Sequence, residues 1–408
     1  PQPVDAPLAL PDKPSIAVLP FQNMSGDPEQ EYFADGMVED IITALSRFKS
    51  LFVIARNSSF TYKGRAVDVK QVGRELGVRY VLEGSVRKAG GRVRITGQLI
   101  DSATGTHLWA DRFDGSLEDV FELQDQVTTS VVGAIAPKLD QVEIERARRK
   151  PGEKLDAYDC YLRGMSYVRV LTREAQDQAL RLFYRAIELD PDFATAYGMA
   201  ARCYSTRKLQ GWTVDKIGEE AEIRRLASRV SAIGRDDALA LCWAAHPMVF
   251  VCREYDTGAE LTDQALAINP NLAVAWQNRA WVSVYLGQHE AALGQIARAQ
   301  RLNPVDPEIH RSEVAMAFAL MFLGRYEEAS QWAAKALRHQ PDSIAVLRIS
   351  AASNGLAGNF DKARKFMARL RQLVPDMRLS VEEDFAPFRR PQDAERMTEG
   401  LRLAGMPE

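Results

Sequence analysis

The chain has 408 residues, 46% of them hydrophobic and 26% charged, and carries a net charge of -3. This composition excludes wholesale disorder and collagen-like chains, and the length predicts roughly two to four domains with real cores. Charge is balanced in both halves, so no basic excess is available to neutralise phosphates and direct nucleic-acid binding is not expected. Four cysteines, Cys160, Cys203, Cys242 and Cys252, lie far apart without a CxxC, which argues against a disulfide framework or zinc cluster and predicts a reducing, cytoplasmic compartment. No apolar run reaches the roughly 18 residues of a membrane span.

In chain order, residues 1–14 carry five prolines and read as a semi-rigid linker of a longer protein. Ser15–Phe21 (SIAVLPF) is a continuous apolar run, the pattern of a strand buried on both faces, and ends at a turn-rich Asn23–Pro28. Phe33, Met37, Ile41, Ile42, Leu45 and Phe48 then recur at helical spacing. A strand is predicted at Leu51–Ala55, a helix at Val67–Leu76 ended by Gly77, and a hairpin from Tyr80–Val86 to Val93–Ile100 around Gly90-Gly91. A last strand, Leu108–Phe113, precedes a long helix at Leu117–Arg149 with Val120, Leu123, Val127, Val131, Ala134 and Leu139 on one stripe. The order βαβαβββα predicts an α/β sandwich over residues 15–150.

Beyond Pro151 the strand pattern stops and self-similarity begins. Ala186–Pro191 (AIELDP), Ala265–Pro270 (ALAINP), Ala299–Pro304 (AQRLNP) and Ala336–Pro341 (ALRHQP) repeat one motif, with Leu370–Pro375 (LRQLVP) a weaker copy. The last four prolines stand 34, 37 and 34 residues apart, which is the tetratricopeptide period. Gly287, Gly324 and Gly358 fall at the turn between helices, Tyr255, Tyr326 and Phe360 just after it, and Ala292, Ala329 and Ala363 where helices cross; Trp276 supplies the early tryptophan of the consensus. Small residues are needed there because helix axes only 8 to 10 Å apart leave no room for large side chains. An all-α solenoid of about five to six repeats is expected over residues 153–378, with an insertion at Gln210–Asp215. Residues 379–408 then form a capping segment and helix. Fold class is therefore α+β multidomain.

Catalytic signals are absent. There is no GxxxxGK[ST] or strand-to-helix GxGxxG, no HxxxH pair among the five histidines, and no GxSxG around Ser58-Ser59. Asp35, Glu39 and Asp40 at a helix start suit the macrodipole and solvent. The basic groups Arg87–Arg94 and Arg146–Lys150 suit a solvated strand edge and helix end. No catalytic residue, metal ligand or cofactor is predicted.

Repeat solenoids bind along their concave helices. Aligning on the repeat proline places Trp243, Phe250, Gln277, Trp281 and Tyr285 on that face. The same alignment adds Arg311, Phe318, Met321, Phe322 and Arg348. A mostly aromatic groove predicts an apolar or aromatic partner segment over an acidic tail. The bland alternative stays open: these positions pack internally, or Phe385–Phe388 folds back to fill the groove.

The segments PSIAVLPFQNMSGDPEQEYFADGMVEDIITALSRF, ARNSSFTYKG, YVLEGSVRKAGGRVRITGQLID and LWADRFDGSLEDVFELQDQV resemble a TolB amino-terminal-like (FlgO-like) α/β domain. Joined to tetratricopeptide repeats, and with YLRG at Tyr161–Gly164, LRLFYRAIELDPDFATAYGMAARCY and PFRRPQDAERMTEGLRLAGMPE, the chain is similar to the carboxy-terminal half of proteobacterial class III adenylate/guanylate cyclases. Related halves follow a winged-helix DNA-binding domain in transcriptional activators. The resemblance implies a regulatory or sensory region rather than an enzyme, since the metal-binding aspartates, the purine-selecting pair and the transition-state Asn/Arg of a cyclase core have no counterparts here. The partners it implies are a protein, a peptide, an upstream catalytic domain or a second copy of the chain. The Leu117–Arg149 helix is the expected route from solenoid to output domain, and a purely scaffolding role is the alternative.

Overall fold

The computed structural model describes residues 10–11, 13–25, 29–65, 67–89, 92–116, 120–151, 155–304, 306–381 and 387–408. Most of the expected linker at 1–14, the Gly90-Gly91 turn and Phe385 lie outside these residues. The chain divides into two compact units, Pro1–Glu153 and Lys154–Glu408.

In the first unit, strand β1 (Ser15–Val18) lies between β3 (Phe52–Val53) and β4 (Tyr80–Ala89), parallel to both. β4, β5 (Arg92–Asp101) and β6 (His107–Ser116) then form an antiparallel meander, giving the order β3-β1-β4-β5-β6. The β4–β5 ladder runs out to a pair of Ala89 with Arg92. Two elements depart from the expected order. The Asn23 turn contains a short strand, β2 (Gln22–Asn23), set parallel on β4 beyond Pro20, whose missing N–H interrupts the ladder. The strand expected at 51–55 shrinks to two residues, because Arg56–Ser59 already winds into a short helix, α2.

One face of this sheet is covered by α1 (Glu29–Ser46) and α4 (Val120–Arg149). Met37, Ile41 and Leu45 of α1 and Val131, Ile135 and Leu139 of α4 are fully buried with Ile16, Val18, Leu82 and Ile95 of the strands. At about 1.5 to 3 kcal/mol for each such side chain, this layer supplies most of the unit's driving force. α3 (Val69–Leu76), capped by the Asp68 side chain and ended by Gly77 in the left-handed region, helps cover the other face with Val72 against Ala17 and Val81. Near the end of α4 the charged run is not simply solvated. Glu143 is fully buried, accepts a 2.6 Å hydrogen bond from the Tyr80 hydroxyl, and pairs with Arg146 at 2.6 Å and Arg79 at 3.5 Å.

The second unit is a tetratricopeptide-type helical array. Its helix pairs are α5 (Ala157–Val168) with α6 (Arg173–Leu189), α7 (Ala194–Leu209) with α8 (Lys216–Ile233), and α9 (Ala238–Phe250) with α10 (Tyr255–Ile268). These are followed by α11 (Ala273–Leu286) with α12 (His289–Leu302), α13 (Ile309–Phe322) with α14 (Tyr326–His339), and α15 (Ile344–Leu356) with α16 (Phe360–Leu373). From α7 onward the first helix of each pair packs on the first helix of the next, so α9, α11, α13 and α15 are buried almost all round, whereas the second helices are amphipathic. Ala292, Ala329 and Ala363 are fully buried. Gly287, Gly324 and Gly358 take φ of 83°, 78° and 76°, the left-handed conformation that closes one helix and starts the next. In the α9–α10 turn the equivalent residue is Arg253 with φ 58°, a conformation costly for a side chain. Trp276 donates its Nε1 hydrogen to the Pro270 carbonyl at 2.8 Å, and the Tyr197 hydroxyl donates to the Pro191 carbonyl at 3.1 Å, so in these two repeats an aromatic ties the preceding turn.

A final helix, α17 (Pro391–Leu403), lies against α15 at backbone distance. A Cβ on Gly400 would sit 2.8 Å from the Ala352 carbonyl oxygen, and one on Gly355 would sit 2.5 Å from the Gly400 carbonyl oxygen. Behind it, Asp393 of α17 meets His289 of α12 at 3.0 Å, both buried.

Candidate binding cavity in the helical array

Aromatic residues at i and i+4 of successive inner helices form a ladder: His246 and Phe250 on α9, Trp281 and Tyr285 on α11, Phe318 and Phe322 on α13. Ring centroids are 5.4 Å apart for His246 and Phe250, 5.7 Å for Trp281 and Tyr285, and 5.8 Å for Trp281 and Phe318, the last edge-on. These spacings suit aromatic pairing. Burial, reinforced by the positive charges of Arg311 and Arg202, pushes the His246 imidazole down to about 3, so the ring is neutral at physiological pH.

The C-terminal segment closes one stretch of this face. Phe388 sets its ring 4.8 Å from Phe322 and 6.1 Å from both Tyr285 and Phe318. The Arg389 backbone N–H donates to the Tyr285 carbonyl at 2.8 Å, and Arg390 donates to the Gly287 carbonyl at 3.0 Å. Of the alternatives left by the sequence, the fold-back therefore holds at Phe388.

What remains is a cavity of about 170 Å³ beside the ladder. Phe250, Trp281, Tyr285, Phe318, Arg311 and Arg348 line it. The other sequence-selected residues do not. Trp243 lies beneath two guanidiniums, with Arg202 Cζ 4.3 Å and Arg311 Cζ 5.3 Å from its ring centroid. Gln277 donates to Ser312 Oγ at 3.0 Å and Asp306 at 3.3 Å, Met321 is fully buried, and Phe322 faces Phe388. Of the readings the sequence leaves open, internal packing describes these rings: Trp243, Phe250, Trp281, Tyr285, Phe318 and Phe322 are all buried.

One correction concerns charge. Arg169, Arg202 and His246 line the cavity with Glu308 and His310, none of which the repeat alignment singles out. Arg202 Nη2 donates to Glu308 at 2.6 Å, Arg311 lies 3.6 Å from it and Arg169 4.0 Å. Burial alone would raise the Glu308 carboxyl, but Arg202 and Arg311 overcome it and pull the group down to about 2. Burial and the neighbouring Arg202 lower Arg311 in turn. Arg311 Nη2 donates to Asn278 at 2.9 Å, while Nη1 of Arg311 and Nη1 of Arg202 are buried without a hydrogen bond. His246, four residues before Phe250, carried a local signal; Arg202 and Glu308, 106 residues apart, carried none.

The α/β unit has a cavity of larger volume, about 780 Å³, beyond the end of β1, lined in part by Lys63 and Arg65. Its lysine is already engaged, 2.6 Å from Asp35 and 3.7 Å from Glu31. Among the described residues no cluster of His, Cys, Asp or Glu could hold a metal ion, and no helix is long and apolar enough to cross a membrane.

Residues 12–130 match a family described as HilA/YgeH-like transcriptional regulator, second domain. A protein of Rhizobium meliloti (strain 1021) named "Putative adenylate cyclase 3" is 50% identical over 208 residues, 51% of this chain and 35% of that protein. Small glutamine-rich tetratricopeptide repeat-containing protein 2 of Mycosarcoma maydis is 29% identical over 101 residues, 25% of this chain and 28% of that one. The chain thus spans about a third or less of these relatives. Among solved structures, the Cut9-Hcn1 hetero-tetramer of APC/C aligns with a TM-score of 0.46 at 13% identity, covering 71% of this chain and 49% of that one.

Proposed function

We propose that this chain is a non-catalytic regulatory and protein-interaction region of a multidomain signalling protein whose output domain is a class III nucleotide cyclase. The observation that carries the reading is the 50% identity over half the chain to a protein named as an adenylate cyclase, most of which lies outside the match. The helical array supports it, since stacked repeats present extended inner surfaces to partners. Four free, buried cysteines fit a reducing, cytoplasmic compartment. The test is cyclic-nucleotide production from ATP and GTP by the natural polypeptide that contains this chain, with and without residues 1–408. A changed rate on removal supports regulation; an equal rate favours a scaffold; no cyclisation by either form overturns the cyclase reading.

A second reading has its own support in the match of residues 12–130 to the second domain of HilA/YgeH-like transcriptional regulators. There the chain would be the effector region behind a winged-helix DNA-binding domain. Promoter binding by the natural polypeptide, in the absence of cyclase activity, would select it.

A further inference from the structure

Residues Pro387–Arg390 (PFRR) lie on the array as a bound peptide lies on its receptor, outside any helix or strand. Phe388 sets its ring in a socket formed by Tyr285 of α11 and by Phe318 and Phe322 of α13. Arg389 reaches the neighbouring α10, with its Cζ 5.7 Å from the Tyr255 ring centroid and its Nη1 2.7 Å from Asp256. The backbone is held along the same path. The Arg389 N–H donates to the Tyr285 carbonyl at 2.8 Å, and the Tyr255 hydroxyl donates to the Pro387 carbonyl at 3.4 Å.

The acceptors explain why arginines follow the ring. The last turn of a helix leaves carbonyls without intrahelical partners and carries the negative end of the helix dipole. Tyr285 and Gly287 stand at the end of α11, where Arg389 and Arg390 take their carbonyls. Phe322 ends α13, and Arg396 donates to its carbonyl. With Asp256 alongside, these helix ends form a cation-accepting rim around an aromatic socket.

The two parts of the C-terminal segment are held differently. Helix α17 is locked, with Met397 and Leu401 fully buried, Gly400 against Ala352 at backbone distance and Asp393 on His289. PFRR is held less firmly: Phe388 is only half-buried, and the Arg389 and Asp256 side chains are 48% and 79% exposed, so their ion pair contributes little. The ring can therefore leave while α17 stays. Its departure joins the socket to the cavity of about 170 Å³, which Phe388 also lines.

We propose that PFRR is a built-in competitor, and that the socket docks an extended segment of a partner protein in which an aromatic residue is followed by arginine. This rests on the protein-interaction reading and gives the partner its chemistry. A tethered segment competes at an effective concentration on the order of millimolar. The socket is thus closed to weak partners and opens to one that brings further contacts of its own.

The test is fluorescence anisotropy of a labelled peptide, APFRRPQ, the sequence of residues 386–392, titrated with the 408-residue chain. A Phe388→Ala/Arg389→Ala chain, which no longer fills its own socket, is expected to bind the peptide saturably and at least about tenfold more tightly than the unaltered chain. In that background Asp256→Lys, at an exposed position, is expected to weaken binding about threefold. A peptide with alanine in place of phenylalanine is expected not to bind. Circular dichroism checks that the variants fold. Arg389→Glu alone, at an exposed site, is a milder second route and is expected to admit the peptide about threefold more tightly than the unaltered chain. Absence of saturable binding by folded variants, equal binding by the unaltered chain, or equal binding of the alanine peptide each overturns the proposal. So does a dimer of the unaltered chain that dissociates on Phe388→Ala/Arg389→Ala, which assigns the socket to a second copy. The titration uses no nucleotide, so its failure is distinct from failure of the cyclase reading.

Discussion

Each unit sets a glutamate among arginines, fully buried in the first and partly exposed in the second. In the α/β unit Glu143 is fully buried and directly hydrogen-bonded, with the Tyr80 hydroxyl and Arg146 each at 2.6 Å. In the array Glu308 faces Arg202, Arg311 and Arg169 beside an open volume. The first is a closed knot that pins α4 to β4. The second is a partly exposed carboxylate facing three guanidiniums beside a cavity.

The largest test of that contrast removes each carboxylate. Glu143→Ala should cost about 3 to 5 kcal/mol, because a fully buried counter-charge is lost, and Glu308→Ala less, because its carboxylate and guanidiniums are partly exposed; segment-resolved hydrogen exchange assigns the loss to the correct unit. Added acetate should restore part of the loss for Glu308→Ala, which has a cavity beside it, and none for Glu143→Ala. Equal rescue would erase the distinction. Next, Phe388→Ala should cost about 2 kcal/mol and raise exchange in α11 and α13, since the ring is half-buried between Tyr285, Phe318 and Phe322.

A smaller effect is expected from pH. His246 has a folded value of about 3 against an ordinary 6.5, so below 6.5 the unfolded chain takes up a proton that the array refuses. Array stability should therefore fall as pH drops below 6.5, read as a shift of the denaturant midpoint, and because His310, held at about 4, contributes in the same sense, His246→Phe should reduce the slope by about half rather than remove it. Smallest, Arg253→Gly should stabilise the array by under about 1 kcal/mol by relieving the left-handed side chain, in line with Gly287, Gly324 and Gly358.

The repeat architecture was legible because it is written locally: a proline period, turn glycines and crossing alanines recur within one helix pair. Helix α4 was legible from its stripe, although Ile135 rather than Ala134 carries the fully buried position. The site was less so. Repeat alignment found Arg311 and Arg348 but also Trp243, Gln277, Met321 and Phe322, which stand beside the cavity without lining it, because register along a solenoid does not say which rings face one another. The Arg202 and Glu308 pair joins α7 to the start of α13, and no spacing rule reaches that far. Glu143 failed for the opposite reason: a charged run at a helix end looks solvated until Tyr80 and Arg79 come to meet it from β4 and the turn before it.

Open repeat stacks unfold from their ends, since each repeat holds only its neighbours. Here the last residues return to the middle: Arg389 and Arg390 bond to Tyr285 and Gly287, and Asp393 bonds to His289. The stack is laced shut like a belt passed back through its own loops. Fraying of the C-terminal repeat would have to unfasten α11 and α12 as well, so the segment at Arg389–Asp393 should couple the end of the array to its middle.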